Sequence, residues 1–339
     1  MRRNFQLAVL VTTGVYYNKV ITQKVGLRLP PRTWAEFMSD LQRVKSAGYL
    51  AFGGDAGMTS SWWPYGMFVP QFLTQDVKKY ATLTYQPDYI PGVMTTEDWA
   101  RAVIKLGYRP SEDPGMQEAF RAWKDWAQYW NPGWASANQG NPVSLFENGK
   151  LAFLWEGSWE VPVFKAANLG FSYGSFWYPP VTRATSTAAP NPPVTPTGVG
   201  GYCCGFALPS ALRSSPKLPL VVDFLRFITT PRNDAAIVDE HPTDVPAIRG
   251  AEGDPAISSL FVGETTKART RGQLPIYAGG PITDVPTQIA DEQQYLLGAI
   301  TEREFLTRLD DLFVAGAKAA VAQNDKTKSK TGTWALSKW

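Results

Sequence analysis

Short apolar runs of strand length alternate with capped, amphipathic helical stretches along most of the chain, and two Gly/Pro-rich breaks interrupt them. Strands alternating with helices bury both faces of a sheet, so this pattern predicts an α/β architecture. Phe5 to Val11 reads as a buried strand. It is short, Gln6 interrupts it, and no cleavage-site pattern follows before Tyr16, so any export leader is expected to lie outside this sequence. Pro30-Pro31 stops the first segment. Thr33 with Glu36 then forms a capping-box pattern ahead of Trp34, Phe37, Met38, Leu41 and Val44 at helical spacing. Tyr49 to Phe52 reads as a strand, and a helix is expected after Trp62, Trp63 and Tyr65. Thr96 is expected to cap another helix that ends at Gly107. Phe120, Trp123, Ala127 and Trp130 make one stripe of a helix from about 115 to 130, which predicts a core-facing surface. Leu151 to Trp155 reads as a buried strand and 158–167 as a helix. After the breaks come a strand from Cys203, helices at 218–228 and 233–238, and closing helices near 285–297 and 301–322. Thr301 and Glu304 form a second capping box, and the lysine-rich tail from Asn324 is expected to fray.

The breaks, 179–200 with six prolines and 273–281, suggest that the chain changes domain twice. Composition narrows the function. Thirty-three basic and 30 acidic residues give a net charge of +3 without a basic block, so nucleic acid is not an expected partner. No apolar run reaches membrane-spanning length. Cys203 and Cys204 are neighbours that a strand would point to opposite faces, which does not suit a disulfide. His241 is the single histidine; neither a metal site nor a cofactor is expected. Gly53-Gly54-Asp55-Ala56-Gly57 lacks the Lys-Ser/Thr ending of a phosphate loop and reads as a turn. Thirteen Trp, 14 Tyr and 17 Phe leave two explanations open, a Trp-rich core or flat apolar faces that hold sugar rings.

Tyr16-Tyr17-Asn18-Lys19, Gly26-Leu27 and Pro30-Pro31-Arg32-Thr33-Trp34-Ala35-Glu36-Phe37, in this order, resemble the hinge-to-lobe-two signature of extracellular solute-binding proteins. These serve ABC sugar importers and are relatives of maltose-binding protein. Phe146-Glu147-Asn148-Gly149-Lys150-Leu151-Ala152 before Gly157-Ser158-Trp159 is similar to a further family run, and Gly200-Gly201 with the strand after it resembles the return to lobe one. The resemblance implies a two-lobed, type II periplasmic-binding-protein-like fold with the first part of lobe one missing. On this reading 1–11 is a partial crossover strand. Residues 12–200 and 282–324 form lobe two, 203–278 the later part of lobe one, and 325–339 a polar tail. A truncated gene model or fragment is the matching expectation.

The implied function is binding of a carbohydrate, an oligosaccharide above all, in the interlobe cleft and its delivery to an ABC permease. The expected protein is a non-enzymatic monomer, periplasmic or extracellular and membrane-associated through the permease or a lipid anchor. By family position Trp62, Trp63, Tyr65 and Trp159 are candidate ring-stacking residues; core packing is the alternative for each. Trp155 and Glu156 stand at a strand end before the glycine-x-tryptophan turn, where Glu156 would accept hydroxyl hydrogen bonds or be a solvated charge. Tyr202 falls at the return hinge. Asp284 opens a late helix, facing the cleft or capping that helix. Two other readings stay open. One is a secreted glycoside hydrolase using paired carboxylates such as Glu147 and Glu156. The other is a binder of the same fold for a polyamine or glycerol phosphate.

Overall fold

The computed structural model describes residues 5–11, 13–57, 59–60, 63–73, 80, 95–189, 191, 193, 201–240, 245–246, 248, 250–252, 282–328, 334, 336 and 339, with the backbone alone at 5–11, 67, 201–207, 245 and 325–328. The strands are β1 (Phe5–Val11), β2 (Thr13–Asn18), β3 (Leu50–Gly53), β4 (Leu151–Gly157), β5 (Tyr173–Phe176), β6 (Gly201–Ala207) and β7 (Val245–Pro246). They form two sheets. One runs β3-β4-β2-β5, with β3 parallel to β4 and the other pairs antiparallel. The other runs β6-β1-β7, wholly antiparallel. Consecutive strands β1 and β2 therefore sit in different sheets, so the chain passes from one to the other between Val11 and Thr13. It returns within 189–201, the first of the Gly/Pro breaks.

Helices α1 (Lys19–Lys24), α2 (Trp34–Ser46), α3 (Trp63–Met67), α4 (Thr96–Lys105), α5 (Pro114–Ala127), α6 (Gly140–Glu147) and α7 (Glu160–Ala167) follow β2 in turn. Then come α8 (Leu218–Ile228), α9 (Pro231–Glu240), α10 (Val285–Leu296) and α11 (Glu302–Lys328). Helix ends follow local chemistry. The Thr33 hydroxyl accepts from the Glu36 N–H, but the Glu36 carboxylate turns back to Arg32, so the expected box is half made. At α4 the cap is Thr95, one residue before the expected Thr96. Asp98 stands three residues after Thr95 and closes a full box, whereas the residue three after Thr96 is the fully buried Trp99. α5 opens with Asp113 as cap and Pro114 in its first turn.

The four-stranded sheet is covered on both faces. Trp34, Phe37, Phe52, Phe68, Trp126, Trp155 and Tyr178 fill one side; Tyr16, Phe146, Leu151, Leu154, Val161 and Phe164 fill the other. Trp126 is the hub of the first, within 4.9–6.1 Å of the rings of Phe52, Trp130, Trp34, Tyr178, Trp155 and Phe68. Phe120, Trp123, Ala127 and Trp130 are all buried, so the expected core-facing stripe is borne out. Trp130 lies beyond the helix, bridged to Phe52 and laid over Gly54, where a Cβ would come 2.8 Å from its ring. The glycine run at 53–57 is a turn, as expected. Asn131 accepts from the Gly54 N–H, and Asp55 folds onto Gly57 and Thr59.

The tail departs from expectation. α11 continues to Lys328, Trp334 is buried, its ring lies 6.0 Å from that of Trp339, and Arg101 of α4 stands over Trp339. Two large apolar residues offset the ordering cost that the lysine-rich composition suggested would dominate. His241 and the break at 273–281 lie outside the described residues. Among the described residues, no helix is long and apolar enough to cross a membrane.

Candidate functional site

The chain emerges from β4 at Glu156 and Gly157 and turns at once into α7 through Ser158 and Trp159. Register places Gly157 opposite Thr13, the first residue after the crossing between sheets. This corner therefore sits where the two sheets join.

Glu156 is only 1% exposed. Its Oε1 accepts from the Gln139 amide at 2.8 Å, and its Oε2 accepts from the Gly157 N–H at 3.0 Å. Burial raises its pKa to about 8, against those two hydrogen bonds and with smaller upward pushes from Glu160 and Asp55. With Glu156 buried, the solvated-charge reading is overturned. Glu160 is also raised, by burial first and by Glu147 second. A neutral carboxyl both donates and accepts, which matches a hydroxyl.

Around it stand the tryptophans. Trp155 is a core residue at 1% exposed, with the Tyr178 ring 4.6 Å away. Trp63 lies 5.1 Å from Trp155 and 6.3 Å from Trp159, and Trp159, partly exposed, is the outermost of the three. The structure therefore brings Trp63, Trp155, Glu156 and Trp159 together. Tyr65 shares α3 with Trp63 but turns away. Its hydroxyl donates to Glu292 at 2.5 Å, and its ring packs on Phe120 and Trp123. Asp284 is exposed and caps α10, accepting from the Thr287 N–H and hydroxyl. Tyr202 pairs with Leu10 in β6, on a strand described by its backbone. Trp62 lies outside the described residues.

Three residues at this corner escaped the sequence reading. Gln139 orients Glu156. The hydroxyls of Thr13 and Ser158 are buried, with no hydrogen-bond partner among the described residues. Gln139 lies in a polar stretch without periodicity, and lone hydroxyl residues carry no motif. Only Ser158, inside the Gly157-Ser158-Trp159 run, had a signal.

A family model described as Bacterial extracellular solute-binding protein matches residues 7–259. A multiple sugar-binding protein of Streptococcus mutans is 23% identical over 167 residues, which make up 49% of this chain and 36% of that protein's own length. Among solved structures, the binding protein MsmE of Bacillus subtilis, in an open conformation, superposes with a TM-score of 0.64 at 16% identity. The match covers 93% of this chain and 72% of that one. The apo form of RafE from Streptococcus pneumoniae gives 0.62 at 17%, over 91% and 71%. These structures carry the fold, and the expected α/β class of two-lobed solute-binding proteins is borne out. Matched by the family over most of its length and by solved binding proteins over nearly all of it, the chain belongs to the bacterial extracellular solute-binding proteins.

Proposed function

We propose that the protein binds a carbohydrate at the β4–α7 corner, without transforming it, and passes it to an ABC-type permease from the periplasmic or extracellular side. The observation that carries this reading is the partly exposed Trp159, backed by Trp63, with the buried Glu156 bonded to the Gly157 N–H of the same turn. A pyranose presents a C–H face and a rim of hydroxyls. The indole meets the first; a carboxyl that donates as well as accepts meets the second. Relatives of the same fold were solved with raffinose and with stachyose, and the S. mutans relative is a multiple sugar-binding protein.

Among the described residues no lysine or arginine pairs with Glu156, which disfavours a phosphate ligand, and a protonated carboxyl disfavours a polyamine. The pair Glu147 and Glu156 suits hydrolysis poorly. Gln139, which holds Glu156, precedes α6, and Glu147 ends that helix about 12 Å along its axis. On the two-lobed division expected from the sequence, this corner would line a cleft between the lobes that closes on its ligand. The protein is read as a monomer.

Calorimetric titration with raffinose, stachyose, chitin oligosaccharides and their monosaccharides, with each sugar recovered and analysed, tests the proposal. Saturable binding of an intact sugar supports it. Cleaved sugar replaces it with a hydrolase, and no binding across the panel rejects it.

A further inference from the structure

Gly157 is held from every side. It is paired with Thr13 across the sheet, its N–H donates to Glu156 Oε2, and its carbonyl accepts the Tyr16 hydroxyl at 2.9 Å. The remaining face of its Cα carries the six-membered ring of Trp159. A Cβ built at Gly157 would fall deep inside the van der Waals envelope of Cε3, Cζ3 and Cη2 of that indole. Trp159 opens α7 with helical backbone angles, φ −64° and ψ −15°, so its indole folds back onto the strand it has just left. The space a side chain would take at 157 is the space the indole occupies.

Two other glycines seat rings in the same way, Gly54 under Trp130 and Gly174 under Tyr17. Trp130 is a buried core residue, and Tyr17 packs on Phe176. The Tyr17 ring is partly exposed too, but at Gly157 the seated ring lies 6.3 Å from Trp63 and the glycine N–H itself holds the Glu156 carboxyl.

We propose that Gly157 is a positioning residue for the ligand platform: its bare Cα lets Trp159 lie flat on the strand end, with one indole face on the backbone and the other turned to the ligand. This rests on the carbohydrate reading for what the platform meets, but not for where the ring sits. With the inner face occupied, the platform stacks one sugar ring, on one side. The Glu156 carboxyl, fastened to the Gly157 N–H, is set at the edge of the same surface. Ring and carboxyl thus share one rigid anchor.

The test uses protein labelled with 5-fluorotryptophan, whose 13 tryptophans give separate fluorine resonances; loss of one signal in Trp159→Phe assigns the residue. In the ligand-free protein, Gly157→Ala is expected to shift the Trp159 resonance, while Gly174→Ala leaves it in place. If raffinose binds the wild type, Gly157→Ala should weaken that binding roughly tenfold. In a Trp159→Ala background the same change should have no further effect, because the ring it displaces is gone. An unmoved Trp159 signal in Gly157→Ala, or an equal loss of affinity in both backgrounds, overturns the proposal. Should Gly157→Ala fail to fold, the double variant decides. Folding like Trp159→Ala supports the seat, and failing as well shows that the glycine is needed for another reason. A wild type that binds none of the sugars rejects the carbohydrate reading alone, since the fluorine shift still reports the seat.

Discussion

Glu156 shows how one residue's chemistry is set by its surroundings. In the unfolded chain it titrates near 4.5; in the fold burial raises it to about 8. Between those values the unfolded state loses its proton first and binds fewer protons than the folded state, so stability falls as pH rises. The loss is on the order of a few kcal/mol and is complete above about pH 8. Glu156→Gln keeps the size and most of the hydrogen bonding but cannot ionise. Its urea midpoint should fall less than the wild type's between pH 5 and pH 8.5. Glu160 and Asp40 are also raised by burial and contribute in the same direction, so the difference between the two curves is the quantity to read. Parallel curves would mean that Glu156 is already charged at neutral pH.

Elements differ in how far they commit to the core. The capping box at α4 joins Thr95 and Asp98 in both directions, so Thr95→Ala should cost about 1 kcal/mol in chemical denaturation. An unchanged midpoint would show that the box contributes nothing. α8 is asymmetric in another way. Leu225 and Ile228 are buried, while Leu220, Phe224 and Phe227 are exposed, Leu220 by 72%. Leu225→Ala is expected to destabilise by about 2–5 kcal/mol, and Phe224→Ser by less than about 0.5 kcal/mol. Comparable losses for the two would mean that the outer face of α8 is covered in solution.

For the molecule as a whole, the end of the chain is a part of the structure. α11 runs from the closing helices into a segment that returns Trp334 and Trp339 to the neighbourhood of Arg101. Ending the chain after Lys328 should therefore lower stability by on the order of 2 kcal/mol, the transfer value of one buried indole, measured as a lower urea midpoint. An unchanged midpoint would restore the frayed tail that composition suggested. The two sheets meet at the β1–β2 junction, and the candidate site lies beside it, with Gly157 paired to Thr13, the first residue of β2.

The sequence by itself determined most of the elements. The spacing of Trp34, Phe37, Leu41 and Val44, the stripe of Phe120 and Trp123, and the apolar run from Leu151 are local patterns whose physics, periodicity and capping, needs no partner. Order of motifs also carried the family. Side-chain roles were decided only by packing. Trp63 and Tyr65, two residues apart on one short helix, face different neighbours; Glu156 has a raised pKa because packing buries it, against the hydrogen bond from Gln139, seventeen positions earlier. Glycine at 157 reads as flexibility in a sequence, yet in the fold it is clearance for a ring. Burial and close approach are properties of surfaces that meet only in three dimensions, so no local pattern records them.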